Sequence, residues 1–120
     1  MILTIPEATC STNDLIRKYR NPHARARERD RWHYLVREQV KPSRRLPLLS
    51  CEILVTRRGR NPLDWDNMGG GLKFLMDALV SNKIIADDKP KVVKRLHLQQ
   101  ETNRKLPAAT IVSIVPVLPD

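Results

Sequence analysis

Aromatic side chains are scarce, at 4% of 120 residues. A sheet carrying rows of base-stacking rings is therefore excluded. The two cysteines, Cys10 and Cys51, are too few for a disulfide framework, and a reducing cytosol is the default setting. No apolar run approaches the ~18 residues of a spanning helix. The opening MILTIPEATC has neither a basic n-region nor a long apolar h-region, so no signal peptide is expected. His23, His33 and His97 have no metal-like spacing with one another or with the cysteines, which argues against zinc. What is present is ample apolar material: at 41% hydrophobic, the chain can build a core and is not a disordered polymer. The length suits one domain over residues 1–120.

The charge is lopsided. The formal net charge is +9. Between Arg17 and Arg60 there are 14 Lys and Arg against four acids, Glu28, Asp30, Glu38 and Glu52. Five aspartates then fall between residues 64 and 88: Asp64, Asp66, Asp77, Asp87 and Asp88. Phosphate backbones attract a basic surface through counterion release, and a divalent cation would neutralise a compact acidic cluster. A solvated basic helix with ordinary surface acids is the plainer alternative.

Hydrophobic spacing outlines the elements. Ile2 to Ile5 reads as a short strand stopped by Pro6, and Ser11 to Asp14 as a turn. Asn21-Pro22 opens a helix as N-cap and first position. Its apolar stripe is Trp32, Leu35 and Val36, with Gln39 and Val40, and it ends before Lys41-Pro42. Ser43 to Pro47 is a basic connection. Leu49 to Arg57 alternates as a strand. Leu72, Leu75, Met76, Leu79 and Val80 match an amphipathic helix, closed by Ser81-Asn82. Val92 to Gln99 and Thr110 to Leu118 are two more strands, with Pro116 suiting an edge. The expected fold is α+β (mixed α/β): a single sheet of about four strands and two main helices on one face.

The stretch Asn61 to Lys73 carries the chemistry. Asp64 and Asp66 are two apart, so an extended segment would turn both carboxylates toward one ion. They are therefore expected before the helix, with Asp66 or Asn67 capping it and Trp65 anchoring the loop on the other side. Gly69-Gly70-Gly71 is costly inside a helix. Either the helix starts after it, or a phosphate backbone or partner chain comes too close for side chains. It is not a nucleotide-binding P-loop, whose spacing and strand context differ. Lys73 lies two turns beyond Asp66 in a continuous helix, where it contacts a phosphate or remains a surface lysine. If Asp87-Asp88 returns to the start of the same helix, four carboxylates share one pocket. Mg²⁺ there would activate water for phosphodiester hydrolysis.

The joint pattern Asp64-x-Asp66-Asn67, Lys73, Asp77-Ala78-Leu79 and Ile84-x-x-Asp87-Asp88 resembles the RusA family of Holliday-junction resolvases, mostly phage or prophage endodeoxyribonucleases. The close match covers about 25 residues, and the flanking element order is compatible with the family. The resemblance implies a homodimer that cuts four-way DNA junctions with Mg²⁺, or Mn²⁺ in its place. It implies that Asp64, Asp66 and Asp88 ligate the metal with Asp87 beside them, and that Lys73 assists catalysis. It implies phosphate contacts from Arg25, Arg27, Arg29, Arg57, Arg58 and Arg60. No membrane or small-molecule substrate is expected, and the setting is the cytoplasm of a bacterium or phage-infected host. In many members the lysine follows the second aspartate by four residues; here Gly70 holds that place. Asn13 is the loose counterpart of the family's Pro-Ser-x-Asn turn. The rivals are a non-catalytic basic nucleic-acid-binding protein of phage origin with the same fold, and a structural dimer that has lost activity.

Overall fold

Alternation along the third apolar segment sets the sheet. Cys51, Ile53 and Val55 are buried while Glu52, Leu54 and Thr56 are half-exposed, the period-two pattern of a strand with one covered face. The structure is a computed structural model and describes residues 1–40 and 46–118. Its elements are β1 (Ile2–Ile5), α1 (Thr12–Arg17), α2 (Pro22–Gln39), β2 (Cys51–Gly59), a 3-10 turn (Trp65–Asn67), α3 (Leu72–Ser81), β3 (Val93–Thr102) and β4 (Ala109–Pro116). Ser43, Arg44 and Arg45 of the expected basic connection lie outside the described residues.

The four strands form one mixed sheet in the order β1-β4-β2-β3. The α+β class expected from the sequence is what the chain adopts. β4 runs antiparallel to both neighbours, with Leu3 opposite Val112 and Val55 opposite Val112 on the other side. β2 and β3 are parallel. A parallel pair requires a long crossover, and α3 supplies it. β4 is thus an inner strand rather than an edge. Pro116 is tolerated because pairing on the β1 side stops at the Met1–Ile114 hydrogen bonds and leaves the end of β4 open there.

The helices follow local signals. Asn21 Oδ1 accepts from the His23 amide at 2.7 Å and Pro22 takes the first position. Trp32 and Val36 of α2 are buried, and Leu35 and Val40 pack against the core. α3 buries Phe74, Leu75, Met76, Ala78 and Leu79, which leaves Lys73, Asp77 and Ser81 as its outward stripe. These residues share one core with Ile5, Ile53, Val55, Val112 and Ile114. On the opposite sheet face none of Thr4, Leu54, Thr56 or Ser113 is buried, so the helices cover one side only.

Two local expectations are corrected. Ser11 to Asp14 is the start of α1 rather than a turn: Ser11 Oγ accepts from the Asp14 amide at 3.0 Å. Ser, Thr, Asn and Asp are turn formers and N-caps alike, so composition alone did not separate the two. α3 is not capped by Asp66 or Asn67; its N-cap is Gly71, without a side-chain hydrogen bond.

The helix does begin after the glycines, and their small size is also required. A Cβ on Gly70 would stand 2.5 Å from Thr12 Cα, and one on Gly71 would stand 2.5 Å from the Cys10 carbonyl oxygen. The close neighbour is the chain's own segment Thr9 to Thr12. Gly70 N donates to Thr12 Oγ1 at 3.0 Å across that contact. Gly69 faces open space. Gly70→Ala and Gly71→Ala are each expected to lower stability by about 1–3 kcal/mol through overpacking against backbone. Gly69→Ala is expected to stay within about 0.5 kcal/mol. Urea unfolding of the three variants checks this ordering.

Candidate functional site

The first pair of carboxylates stands on a turn held from both sides. Leu63 N donates to Gln100 Oε1 at 3.0 Å, and Gln100 Nε2 donates to Leu63 O at 2.8 Å. This two-point clasp fixes the approach to the turn on β3. Beyond the turn, Met68 is wholly buried, and Asn67 Oδ1 accepts from the Asn13 amide at 3.0 Å. Asp64 is extended, with φ −62° and ψ 146°, while Asp66 lies within the 3-10 turn. The alternating extended geometry expected for the pair is therefore interrupted at Asp66. Trp65 is 70% exposed, so Met68 and not Trp65 anchors this loop. Asp64 and Asp66 are exposed, and neither has an ion-pair partner among the described residues.

The second acidic group lies beyond the other end of α3. Ile84 and Ile85 are buried, and Ala86 N donates to Leu48 O at 2.9 Å. That plug holds Asp87 and Asp88 at the foot of the parallel strands. With Asp77, Val80 and Ser81 of α3 and Arg29 of α2 they line one open groove. Asp88 N donates to Asp87 Oδ1 at 2.7 Å. That bond, with help from the Asp88 side chain and the charge of Lys89, holds the Asp87 carboxyl below the usual carboxylate range. His33 Nδ1 lies 2.6 Å from Ser81 Oγ, and Asn82 Nδ2 donates to His33 O at 3.0 Å, which pins α2 to α3 beside the groove.

The two pairs do not gather into one ligand group among the described residues. α3 spans ten residues, about 15 Å at 1.5 Å per residue. Asp64 and Asp66 precede it and Asp87 and Asp88 come after it. Among the described residues no group of three or more His, Cys, Asp or Glu gathers where it could hold a metal ion. The four-carboxylate pocket expected from a single chain is not found among the described residues: after the buried Ile84 and Ile85, Asp87 and Asp88 come back along α3 to the groove beside Asp77, while Asp64 and Asp66 stand on the turn before the helix. Each pair on its own still fits the donor set of Mg²⁺, which takes one or two carboxylates and completes its shell with water and phosphate oxygens. Lys73 is exposed in the first turn of α3. Residues four apart share a helix face, so Lys73, Asp77 and Ser81 form a stripe leading from one acidic end toward the other.

The six arginines singled out from the sequence divide by environment. Arg27, Arg29 and Arg60 are exposed, with no ion pair among the described residues. Arg25 is half-buried and its Nε donates to Tyr19 O. Arg57 is half-buried and its Nε donates to Thr9 O at 2.9 Å; burial pulls its pKa down. Arg58 Nε donates to Glu101 Oε2 at 3.1 Å on the neighbouring strand. Arg57 and Arg58 are thus tied into the fold. Sequence reading missed Arg17 and Arg20, which line an open pocket with Ile16 and Arg25. Their charge was visible, but without α1 their convergence was not legible. It also missed Arg31, which bridges Glu7 and Glu28; those hydrogen bonds raise its pKa further. Cys51 is buried, and burial pushes the Cys10 thiol up to about 11, with Asp14 and Glu28 adding to the effect. Neither thiol is a ready nucleophile.

No helix among the described residues is long and apolar enough to cross a membrane. Arg57→Ala is expected to cost about 1–2 kcal/mol, since it leaves the Thr9 carbonyl without its charged donor. Arg60→Ala is expected to change stability by less than about 0.5 kcal/mol. Chemical denaturation of both variants separates the structural arginine from the exposed one. Compared with protein-family models, curated proteins and solved structures, the chain matches none.

Proposed function

We propose that the chain is a RusA-like, Mg²⁺-dependent endodeoxyribonuclease, with Mn²⁺ as the substitute ion, that resolves four-way DNA junctions as a homodimer. The observation that carries this reading is the placement of the carboxylates. In a chain of net charge +9, Asp64 and Asp66 stand exposed before α3, and Asp87 and Asp88 stand at a groove after it, none with an ion pair among the described residues. Such carboxylates amid excess positive charge suit a cation that joins protein to phosphate.

The placement of the acids on either side of α3 supports a role for a second copy. Two chains related by a two-fold axis, with their outward α3 stripes antiparallel, bring Asp64 and Asp66 of one copy toward Asp87 and Asp88 of the other. The same symmetry presents two sites to a nearly symmetric junction. Asp64, Asp66, Asp87 and Asp88 would hold the ion, which when bound would supply an activated water and stabilisation of the leaving oxygen. The protein's own groups do the rest. Lys73 meets charge developing on the scissile phosphate. Arg27, Arg29 and Arg60 hold phosphodiesters on either side, selecting structure rather than base sequence. Such a substrate lies in the cytoplasm of a bacterium or a phage-infected host.

The second reading is a non-catalytic basic nucleic-acid-binding protein of the same fold. It is favoured by the lack, among the described residues, of a three-ligand cage within one chain. Cleavage of synthetic four-way junctions decides between them. Paired nicks that need Mg²⁺ and vanish in Asp66→Asn, while junction binding persists, support the nuclease. Junction binding without any cleavage supports the rival.

Subunit mixing tests the shared site. Asp66→Asn and Asp88→Asn are each expected to be inactive alone. A mixed dimer of the two then contains one site with both lesions and one with neither; since random exchange makes about half of the dimers mixed, about a quarter of the native sites return. A mixture as inactive as its components would show that each site is built within one chain.

A further inference from the structure

Three arginines, at the end of one helix, in the link after it and at the start of the next, line one open pocket. Arg17 is the last residue of α1, Arg20 lies just beyond it, and Arg25 lies in the first turn of α2. Together with Ile16 they line the pocket. No carboxylate among the described residues pairs with Arg17, Arg20 or Arg25. Asp14, the acid on α1, is engaged by Lys18 at 3.8 Å. Like charges gathered without a counter-ion repel one another, an arrangement relieved by an anion. Guanidinium forks match phosphate oxygens in geometry as well as charge.

The occupant is extended rather than a lone ion. Ile16 is 59% exposed in the same pocket, and an apolar surface among phosphate-binding groups packs against sugar or base. The pocket also lies along a line from the first acidic turn. Thr12, at the start of α1, accepts from Gly70 N, and Asn13 N donates to Asn67 Oδ1, beside Asp66. α1 has six residues, so its far end is about 9 Å from that turn, a few phosphates along a backbone at ~3.4 Å of rise each.

We propose that Arg17, Arg20 and Arg25, with Ile16, form a subsite for the nucleic-acid backbone, and that α1 sets its spacing from the Asp64–Asp66 turn. The inference rests on the proposed nucleic-acid function and adds to it a strand path away from the acids.

The test is equilibrium binding of a fluorescent four-way junction across a salt series. Arg25 is left intact because it also holds the Tyr19 carbonyl. For the double variant R17A/R20A the dependence of log affinity on log salt is expected to flatten by about 1.8, at ~0.9 for each phosphate no longer neutralised, with at least a ~10-fold fall in affinity. The single variant R20A is expected to show about half that change in slope, and R17K/R20K to keep most of the native slope. Both positions are exposed, and an unchanged melting temperature confirms an intact fold. Native affinity and slope in R17A/R20A, in a protein that does bind junctions, overturn the subsite and leave the nucleic-acid function standing. A native protein that binds no DNA overturns both. Calorimetric titration with inorganic phosphate is expected to show no binding. Phosphate binding that R17A/R20A abolishes, without any change in DNA affinity, would assign the pocket to the free ion and overturn the backbone assignment.

Discussion

Parallel pairing of β2 with β3 governs the arrangement of the acidic and basic groups around α3. Two parallel strands must be joined by a segment that returns along the sheet, and here that segment is α3. The crossover places the loop before α3 and the loop after it on either side of a ten-residue helix. Asp64 and Asp66 thus belong to one loop and Asp87 and Asp88 to the other. The apolar face of α3 must meet the sheet and α2, so its polar stripe is left outward. The topology that builds the core also puts the two acidic pairs in separate loops, which is why the proposed chemistry calls for a second copy.

The segment between β1 and α1 links the separate parts. Thr9 N donates to Thr110 Oγ1 at 3.1 Å, and Thr110 Oγ1 donates to Glu7 O at 2.6 Å. Arg57 reaches the Thr9 carbonyl. Thr12 then meets Gly70 at a distance that no side chain on that glycine would permit. The acidic turn is positioned from the N-terminal side of the chain as well as from β3, through Gln100. Arg31, bound to Glu7 and Glu28, ties α2 to the same segment. Part of the basic charge evident in the sequence is therefore matched by the chain's own acids at the surface, and the remainder is left without an ion pair among the described residues.

Much of the fold was legible from local physics. Strand alternation at Cys51, Ile53 and Val55 identified β2, and the Asn21-Pro22 signal located the start of α2. α1 was not legible, because Ser-Thr-Asn-Asp has the composition of a turn and of an N-cap. Strand order was also hidden: nothing local to Thr110–Leu118 tells that this strand lies inside the sheet. At the site, the type and position of the acids were legible, but their placement around α3 depends on where Ile84 and Ile85 find burial. The role of the glycines was half legible. Their cost within a helix pointed to a late helix start or a close neighbour, and both hold, but the neighbour is the chain's own Thr9 to Thr12 backbone. The arginine pocket needed α1 and α2 placed together before it was visible at all.

The pairing of β1 with β4 alone has a kinetic consequence. Among the described residues, β1 finds its one sheet partner in β4, which follows every other element in the chain, with Ile2 opposite Ser113. Leu3 and Ile5 must wait through the emergence of nearly every other element before their backbone groups are paired. Non-local pairings of this kind slow folding, and unpaired strands invite contacts with neighbouring chains in the interim. Closure of this sheet edge accordingly waits for β4, and until β4 emerges the nascent chain carries an open apolar strand.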